Sequence, residues 1–92
     1  MGGETGMPPG AAAATVTVRY WAGARAAAGV DSDIVTGCAT VADAVAEVTR
    51  LRPALVPVAA VSSLLLEGRP AEPWATLSAG AVLEVLPPFA GG

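Results

Sequence analysis

The chain has 92 residues, of which 53% are apolar and only 14% charged, and its net charge is −3. This length allows one small domain, because such a chain buries only about 60 to 65% of its unfolded surface. All five basic residues are arginine, and they do not form the clustered basic face that nucleic acid or an anionic membrane surface requires.

The missing residue types exclude most self-contained chemistry. There is no histidine and no lysine, and Cys38 is the single cysteine. A protein-only zinc site, a Ser–His or Cys–His pair and a lysine Schiff base therefore cannot be assembled. We expect a cytoplasmic protein that binds no metal or cofactor and is not catalytic alone. We interpret Cys38 as a small packed residue, because no basic neighbours that would activate its thiol are visible.

The first fourteen residues, MGGETGMPPGAAAA, contain mainly Gly, Pro and Ala and one charge. They offer no face to bury, which predicts a disordered tail at 1–14 followed by one domain at 15–92. They also lack the basic and continuous apolar regions of a signal peptide. No run elsewhere reaches the roughly 18 apolar residues of a membrane-spanning helix.

Strict alternation over Thr15–Trp21 predicts a β-strand, with Arg19 and Trp21 on the face opposite the apolar one. The apolar face contains Val16, Val18 and Tyr20. Ala22–Ala28 contains Gly23 and is followed by Gly29, so we expect a loop or a single helical turn there. Asp33–Thr36 is predicted to be a second, short strand.

A helix is predicted to begin after Thr40, because Asp43 stands three residues later in the capping-box arrangement. Its apolar face is predicted to comprise Val41, Ala44, Val45, Val48 and Leu51. Glu47 and Arg50 lie opposite, and Pro53 ends the helix.

The second half of the chain predicts shorter elements. Ala54–Val61 is apolar but interrupted by Pro57, which favours irregular structure or one helical turn. Ser63–Glu67 is predicted to be a strand that runs into a turn. A short packed segment is expected around Pro73, Trp74 and Leu77. Trp21 and Trp74 are each candidate interface anchors, and we expect at least one of them in the core.

Ala81–Leu86 is predicted to be the last strand, and Pro87-Pro88 stops it. The order of elements is strand, strand, helix, strand, short segment, strand. It predicts an α+β fold in which one main helix packs across one mixed sheet.

The chain ends in Phe89-Ala90-Gly91-Gly92 after the two prolines. Terminal glycines have a bland explanation, since chain ends tolerate any residue. In this context they favour a tail that enters a narrow site, because glycine has no Cβ and walls can close on its backbone. The α-carboxylate of Gly92 is ionised at neutral pH and is a nucleophile that a partner could activate with ATP.

The segments VRYWAGARAAAG near the start and LSAGAVLEVLPPFAGG at the end resemble MoaD, the small subunit of molybdopterin synthase. MoaD belongs with ThiS to a family of β-grasp, ubiquitin-like sulfur carriers. The resemblance covers Thr15 to Gly92, and PPFAGG is its most specific part. It implies that Gly92 carries sulfur as a thiocarboxylate, and that Pro88, Phe89, Ala90 and Gly91 contact a partner.

The resemblance also implies three partners. An E1-like adenylyltransferase would use ATP to form an acyl-adenylate on Gly92, a sulfur donor would convert it to the thiocarboxylate, and the large synthase subunit would receive the tail. Three alternatives remain open. They are a carrier for thiazole or cysteine synthesis, a ubiquitin-like modifier that joins Gly92 to a target lysine, and an interaction domain whose terminal glycines are incidental.

Overall fold

The structure is a computed structural model that describes residues 15–88; the predicted tail segments at 1–14 and 89–92 lie outside this range. Its strands are β1 (Thr15–Tyr20), β2 (Ser32–Thr36), β3 (Ser63–Leu66), β4 (Arg69–Pro70) and β5 (Val82–Leu86). Its helices are α1 (Ala22–Ala28), α2 (Val41–Leu51) and α3 (Val56–Ala60), and a 3₁₀ turn (Pro53–Leu55) precedes α3.

The strands form one mixed sheet in the order β2-β1-β5-β3-β4. β1 pairs in parallel with β5, and the other neighbouring strands pair antiparallel. The predicted apolar face of β1 is buried, as are Leu83 and Val85 of β5, and α2 adds its apolar face to the same core. The fold is therefore α+β with one main helix across one mixed sheet, the β-grasp arrangement, as predicted.

α1 corrects the expectation of a loop or a single turn. It has seven residues, about two turns, and ends at Gly29, whose φ is 79° and whose N–H donates to the Arg25 carbonyl at 2.8 Å. Ala24 and Ala28, four residues apart, are both buried in the core. Their burial outweighs the cost of about 1 kcal/mol that Gly23 carries inside a helix.

α2 begins with the predicted capping box. The Asp43 backbone N–H donates to Thr40 Oγ1 at 3.2 Å, and Asp43 Oδ2 accepts from the Thr40 N–H at 3.1 Å. Both hydrogen bonds satisfy donors that the first turn would otherwise leave without partners.

The apolar face of α2 differs from the prediction at its last turn. Val41, Ala44 and Val48 are buried and Val45 is half-buried against the core, but Leu51 is 47% exposed. Because Pro53 ends the helix and starts the 3₁₀ turn, the chain bends there. Leu55, which is fully buried, fills the core at this end instead.

The expectation that at least one tryptophan lies in the core is wrong. Trp74 is 73% exposed and Trp21 is half-buried, whereas Tyr20 is the buried aromatic side chain among the described residues.

The segment around Trp74 packs through its backbone. The Val41 N–H donates to the Ala75 carbonyl at 2.9 Å, and the Ala42 N–H donates to the Pro73 carbonyl at 2.8 Å. These carbonyls satisfy two further donors of the first turn of α2, so the segment is held in place without burying the indole of Trp74.

A partly buried ion pair joins the two halves of the fold. Arg52 donates from Nε and Nη2 to the two carboxylate oxygens of Asp33 at 2.6 and 2.7 Å, and from Nη1 to the Ala28 carbonyl at 3.2 Å. The Tyr20 hydroxyl donates to Asp33 Oδ2 at 2.6 Å. The hydrogen bonds from Arg52 lower the pKa of Asp33, and burial followed by the Asp33 hydrogen bond raises the pKa of Tyr20.

Within residues 15–88, no helix is both long and apolar enough to cross a bilayer. The same part of the chain brings together no group of three or more His, Cys, Asp and Glu side chains that could hold a metal ion.

We predict that Asp33→Ala lowers the free energy of unfolding by about 1 to 3 kcal/mol, because the buried Tyr20 hydroxyl loses its acceptor. The double variant Tyr20→Phe/Asp33→Ala removes donor and acceptor together. In the Tyr20→Phe background, Asp33→Ala should therefore lower the free energy of unfolding by less than it does alone. Urea unfolding of the two single variants and the double variant measures this coupling. Strict additivity of the two losses would contradict it.

The same carboxylate predicts an acid-side pH dependence. Because folding lowers the pKa of Asp33, its contribution is complete above the unfolded carboxyl pKa of about 3.9 and is lost as the pH falls through the folded pKa. In the Asp33→Asn variant, the free energy of unfolding should therefore fall less steeply with decreasing pH below about pH 4 than in the wild type.

Candidate functional site at the end of β5

β5 lies at the centre of the sheet, between β1 and β3. In register, Val18 and Tyr20 of β1 face Leu83 and Val85. The other edge of β5 pairs with β3 as far as Leu86, opposite Ser63. Hydrogen bonding on both edges and burial on one face hold the last strand firmly, so the chain leaves the domain from a fixed position.

The two prolines divide the domain from the tail. Pro87 is buried, whereas Pro88 is exposed. Neither residue has a backbone N–H, so the ladder of β5 cannot continue through them. The packed domain therefore ends at Pro87.

Of the predicted site residues, only Pro88 lies among the described residues, and it is at the surface. Phe89, Ala90, Gly91 and Gly92 lie outside the described range.

A polar and aromatic cluster borders the exit, and the sequence interpretation did not assemble it. The Trp21 indole N–H donates to Glu84 Oε2 at 3.1 Å, and the Arg19 guanidinium carbon lies 5.0 Å from the centre of the indole ring. The Trp21 backbone N–H donates to the Val85 carbonyl at 3.2 Å. The alternation of β1 places Arg19 and Trp21 on this outer face, but only the β1–β5 register brings Glu84 opposite Arg19.

The structure also locates Cys38, the single cysteine of the chain. Cys38 is buried, with 6% of its surface exposed, and burial, followed by the Asp43 and Glu47 carboxylates, raises the pKa of its thiol. This agrees with the interpretation of Cys38 as a packed residue. A raised thiol pKa and a closed surface both disfavour the reactive thiolate.

A cavity of about 190 Å³ lies at the opposite end of β5, beside Glu67, Thr76 and Gly80. The Glu67 carboxylate already accepts the Val82 N–H at 2.6 Å. Because this cavity adjoins the start of β5 and the tail leaves from its end, it is separate from the exit.

Solved structures match this fold over most of its length. The crystal structure of SAMP1, small archaeal modifier protein 1, from Haloferax volcanii shares 27% identity, with 85% of this chain and 99% of that chain covered and a TM-score of 0.74. A Pyrococcus furiosus protein described as molybdopterin converting factor, subunit 1, shares 26% identity, covering 83% and 99%, with a TM-score of 0.74.

A more distant match is subunit 1 in the complex of subunits 1 and 2 of molybdopterin-converting factor from Helicobacter pylori. It shares 18% identity over 85% of this chain and 99% of that chain, with a TM-score of 0.65, and so supports the fold alone. No protein-family profile and no curated protein sequence matches the chain.

The sheet topology and the central last strand define a ubiquitin-like β-grasp protein. The solved structures agree with this fold, and they show that the chain is similar to a small archaeal modifier protein and to molybdopterin converting factor, subunit 1, as the resemblance to the MoaD/ThiS family leads one to expect.

We predict that Pro87 and Pro88 differ sharply on substitution. Pro87→Gly removes a buried ring and adds freedom to the unfolded chain, and should lower the free energy of unfolding by about 1 to 3 kcal/mol. Pro88→Gly, at an exposed position, should change it by less than about 1 kcal/mol. Thermal and urea unfolding of the matched pair provide the measurement, and equal losses would contradict the placement of the domain boundary between them.

Proposed function

We propose that this chain is a sulfur carrier that holds sulfur as a thiocarboxylate on Gly92 and donates it in molybdopterin synthesis. The observation that carries the proposal is the position of β5. The strand is locked at the centre of the sheet and ends at a buried proline, so the residues after Pro88 are tethered to a rigid base. Four residues beyond Pro88 can reach about 13 to 14 Å when extended.

The chemistry takes place at the tip. An oxygen of the Gly92 carboxylate attacks the α-phosphate of ATP, pyrophosphate leaves, and an acyl-adenylate forms. Sulfide-level sulfur from a donor then attacks the acyl carbon, and AMP leaves. The resulting thiocarboxylate sulfur forms a C–S bond to a carbon of the cyclic pyranopterin in the partner's site as a C–O bond of that carbon breaks. Water then hydrolyses the thioester, which leaves the sulfur on the pterin and frees the Gly92 carboxylate. The chain supplies a positioned group, and its partners supply catalysis.

The proposed partners are the large subunit of molybdopterin synthase, an E1-like adenylyltransferase and a sulfur donor, all in the cytoplasm. The Helicobacter pylori subunit 1 occurs in a complex with subunit 2, which supports the first of these. In the proposal, the tail enters the large subunit and contacts it through Pro88, Phe89, Ala90 and Gly91. Phe89 anchors the tail in the partner's groove, and the small residues after it allow close walls.

Protein modification is the second candidate function, because the same fold and a comparable identity occur in SAMP1, a small archaeal modifier protein. Carriers for thiazole or cysteine synthesis share the chemistry of the first candidate. Intact mass of the chain from its native host separates the classes. Replacement of one oxygen by sulfur supports a carrier, and a branched conjugate supports a modifier. An unmodified terminus in every growth condition opposes both.

We predict that changing the length of the tail by one residue abolishes function without affecting folding. Deleting Gly92 moves the carboxylate back by about 3.3 to 3.6 Å, and adding Ala after Gly92 moves it forward and introduces a Cβ. A misplacement of about 1 Å at a reacting centre can cost on the order of a hundredfold in rate.

The measurement is adenylation and sulfur transfer with purified partners, run beside a thermal melt. Both variants should melt like the wild type and fail in formation or transfer of the thiocarboxylate. Turnover of either variant at the wild-type rate would require the proposal to be abandoned.

We also propose that residues 1–14 are dispensable, since their composition offers no face to bury. A chain that begins at Thr15 should keep its melting temperature and its sulfur transfer. A loss of several degrees would show that the segment packs on the domain.

A further inference from the structure

The chain is poor in groups that could capture an activated acyl carbon. Its sequence contains no lysine and no histidine, and its five basic residues are all arginine. Arginine stays protonated in proteins and is therefore no acceptor at neutral pH. Cys38 is the single thiol and Tyr20 the single phenol of the chain.

The fold buries the two remaining side chains that could act as strong nucleophiles. Cys38 is 6% exposed, and burial together with the nearby Asp43 and Glu47 carboxylates raises the pKa of its thiol. Tyr20 is 2% exposed, and its hydroxyl donates to Asp33 at 2.6 Å. Each group is thus both inaccessible and held in its protonated form.

Folding does not by itself require that all basic residues be arginine. Arg50 pairs with Glu47 at 2.6 Å and Arg25 with Asp31 at 3.6 Å, and both arginine side chains are more than half exposed. A lysine could make either contact. Arg52, by contrast, reaches both Asp33 oxygens and the Ala28 carbonyl at once and needs a planar guanidinium. The chemical consequence of this composition is the same whatever its origin.

We infer that the folded domain is a one-way acyl donor: no side chain of this chain, in the same or a second copy, accepts the activated Gly92 carbonyl. The inference rests on the proposed activation of Gly92. Capture would require an amine or thiol to form a C–N or C–S bond to the acyl carbon while AMP leaves and the nucleophile loses its proton to solvent. With no such side chain accessible, the acyl group passes to the sulfur donor, to a partner's nucleophile or to an α-amine, and to no side chain of this chain. A conjugate, where one forms, therefore carries no chains built on this protein's own side chains.

Chemical labelling of the full chain tests the closed surface without depending on Gly92 activation. An N-hydroxysuccinimide acetate ester stands in for the acyl-adenylate and acetylates accessible amines. Iodoacetamide alkylates an accessible thiol. Intact mass counts the groups that each reagent adds. We expect at most one acetyl group, located on the α-amine by fragmentation. Alkylation of Cys38 should be at least about a hundredfold slower in the native protein than in concentrated guanidinium chloride.

Two variants on the exposed face of α2 are the matched controls. Arg50→Lys should gain one acetyl group, and Ala46→Cys should be alkylated once in the native state, with melting temperatures close to the wild type. Acetylation of any wild-type side chain, or native alkylation of Cys38 within about tenfold of its unfolded rate, would overturn the inference.

Peptides of this chain isolated from its native host test the inference under conditions in which Gly92 is activated. Peptides of this chain that carry a second copy's C-terminal glycines on any of their side chains would overturn the inference even if labelling agreed with it. Their absence alongside a thiocarboxylate or conjugates on other proteins supports it. An unmodified Gly92 in every growth condition would defeat the proposed function, while the labelling result would still decide whether the surface is inert.

Discussion

The parallel pairing of β1 with β5 is the constraint on which the rest of the structure depends. It joins the first and last strands of the domain at the centre of the sheet, in register from Thr17 and Val82 to Tyr20 and Val85. Parallel neighbours cannot be joined by a tight hairpin, so all other elements lie within the connection between them. The core closes only when the last strand is in place, and this strand ends in the tail. The base of the tail is thus as well anchored as the centre of the fold.

The connection is held to this sheet by a few polar contacts at its ends. The Asp33 carboxylate gathers hydrogen bonds from β1 and from the residue that ends α2, and Arg52 also reaches the end of α1. At the opposite end of α2, Thr40, Asp43 and the carbonyls of Pro73 and Ala75 satisfy the first turn. Both ends of the main helix are therefore fixed by named partners, and no buried side-chain polar atom among the described residues lacks one. This matters in a domain too small for a large apolar core.

The packing that stabilises this small domain also bears on the proposed chemistry. A protein whose terminus is activated for transfer benefits from a body that does not react with it. The burial that stabilises Tyr20 and Cys38 also withdraws their nucleophilic atoms, while the surface presents carboxylates, hydroxyls and guanidinium groups. Stability and selectivity follow from the same packing, and reactivity is left to the terminus and to the partners that meet it.

Local patterns were sufficient for the main strands and for the main helix. Alternation of apolar and polar residues identified β1 and β5, the Thr40–Asp43 spacing identified the start of α2, and together they predicted the fold class. These features depend on neighbours within a few residues, so they can be recognised in one dimension. The terminal glycines after two prolines led to the proposal that the working group is at Gly92, which lies outside the described residues.

Other features depended on contacts between distant residues. Two turns of α1 form because Ala24 and Ala28 find a core to bury in, despite Gly23. Leu55 replaces Leu51 because the chain bends after α2, and Trp74 faces solvent because its segment packs through carbonyls instead. The sequence by itself determined β1, β5, the start of the main helix and the residue types at the terminus. Only the tertiary structure decided that Pro87 is packed and Pro88 exposed, and that Trp21 meets Glu84 beside the exit. Burial and strand register bring together residues far apart in the chain, and no local pattern encodes them.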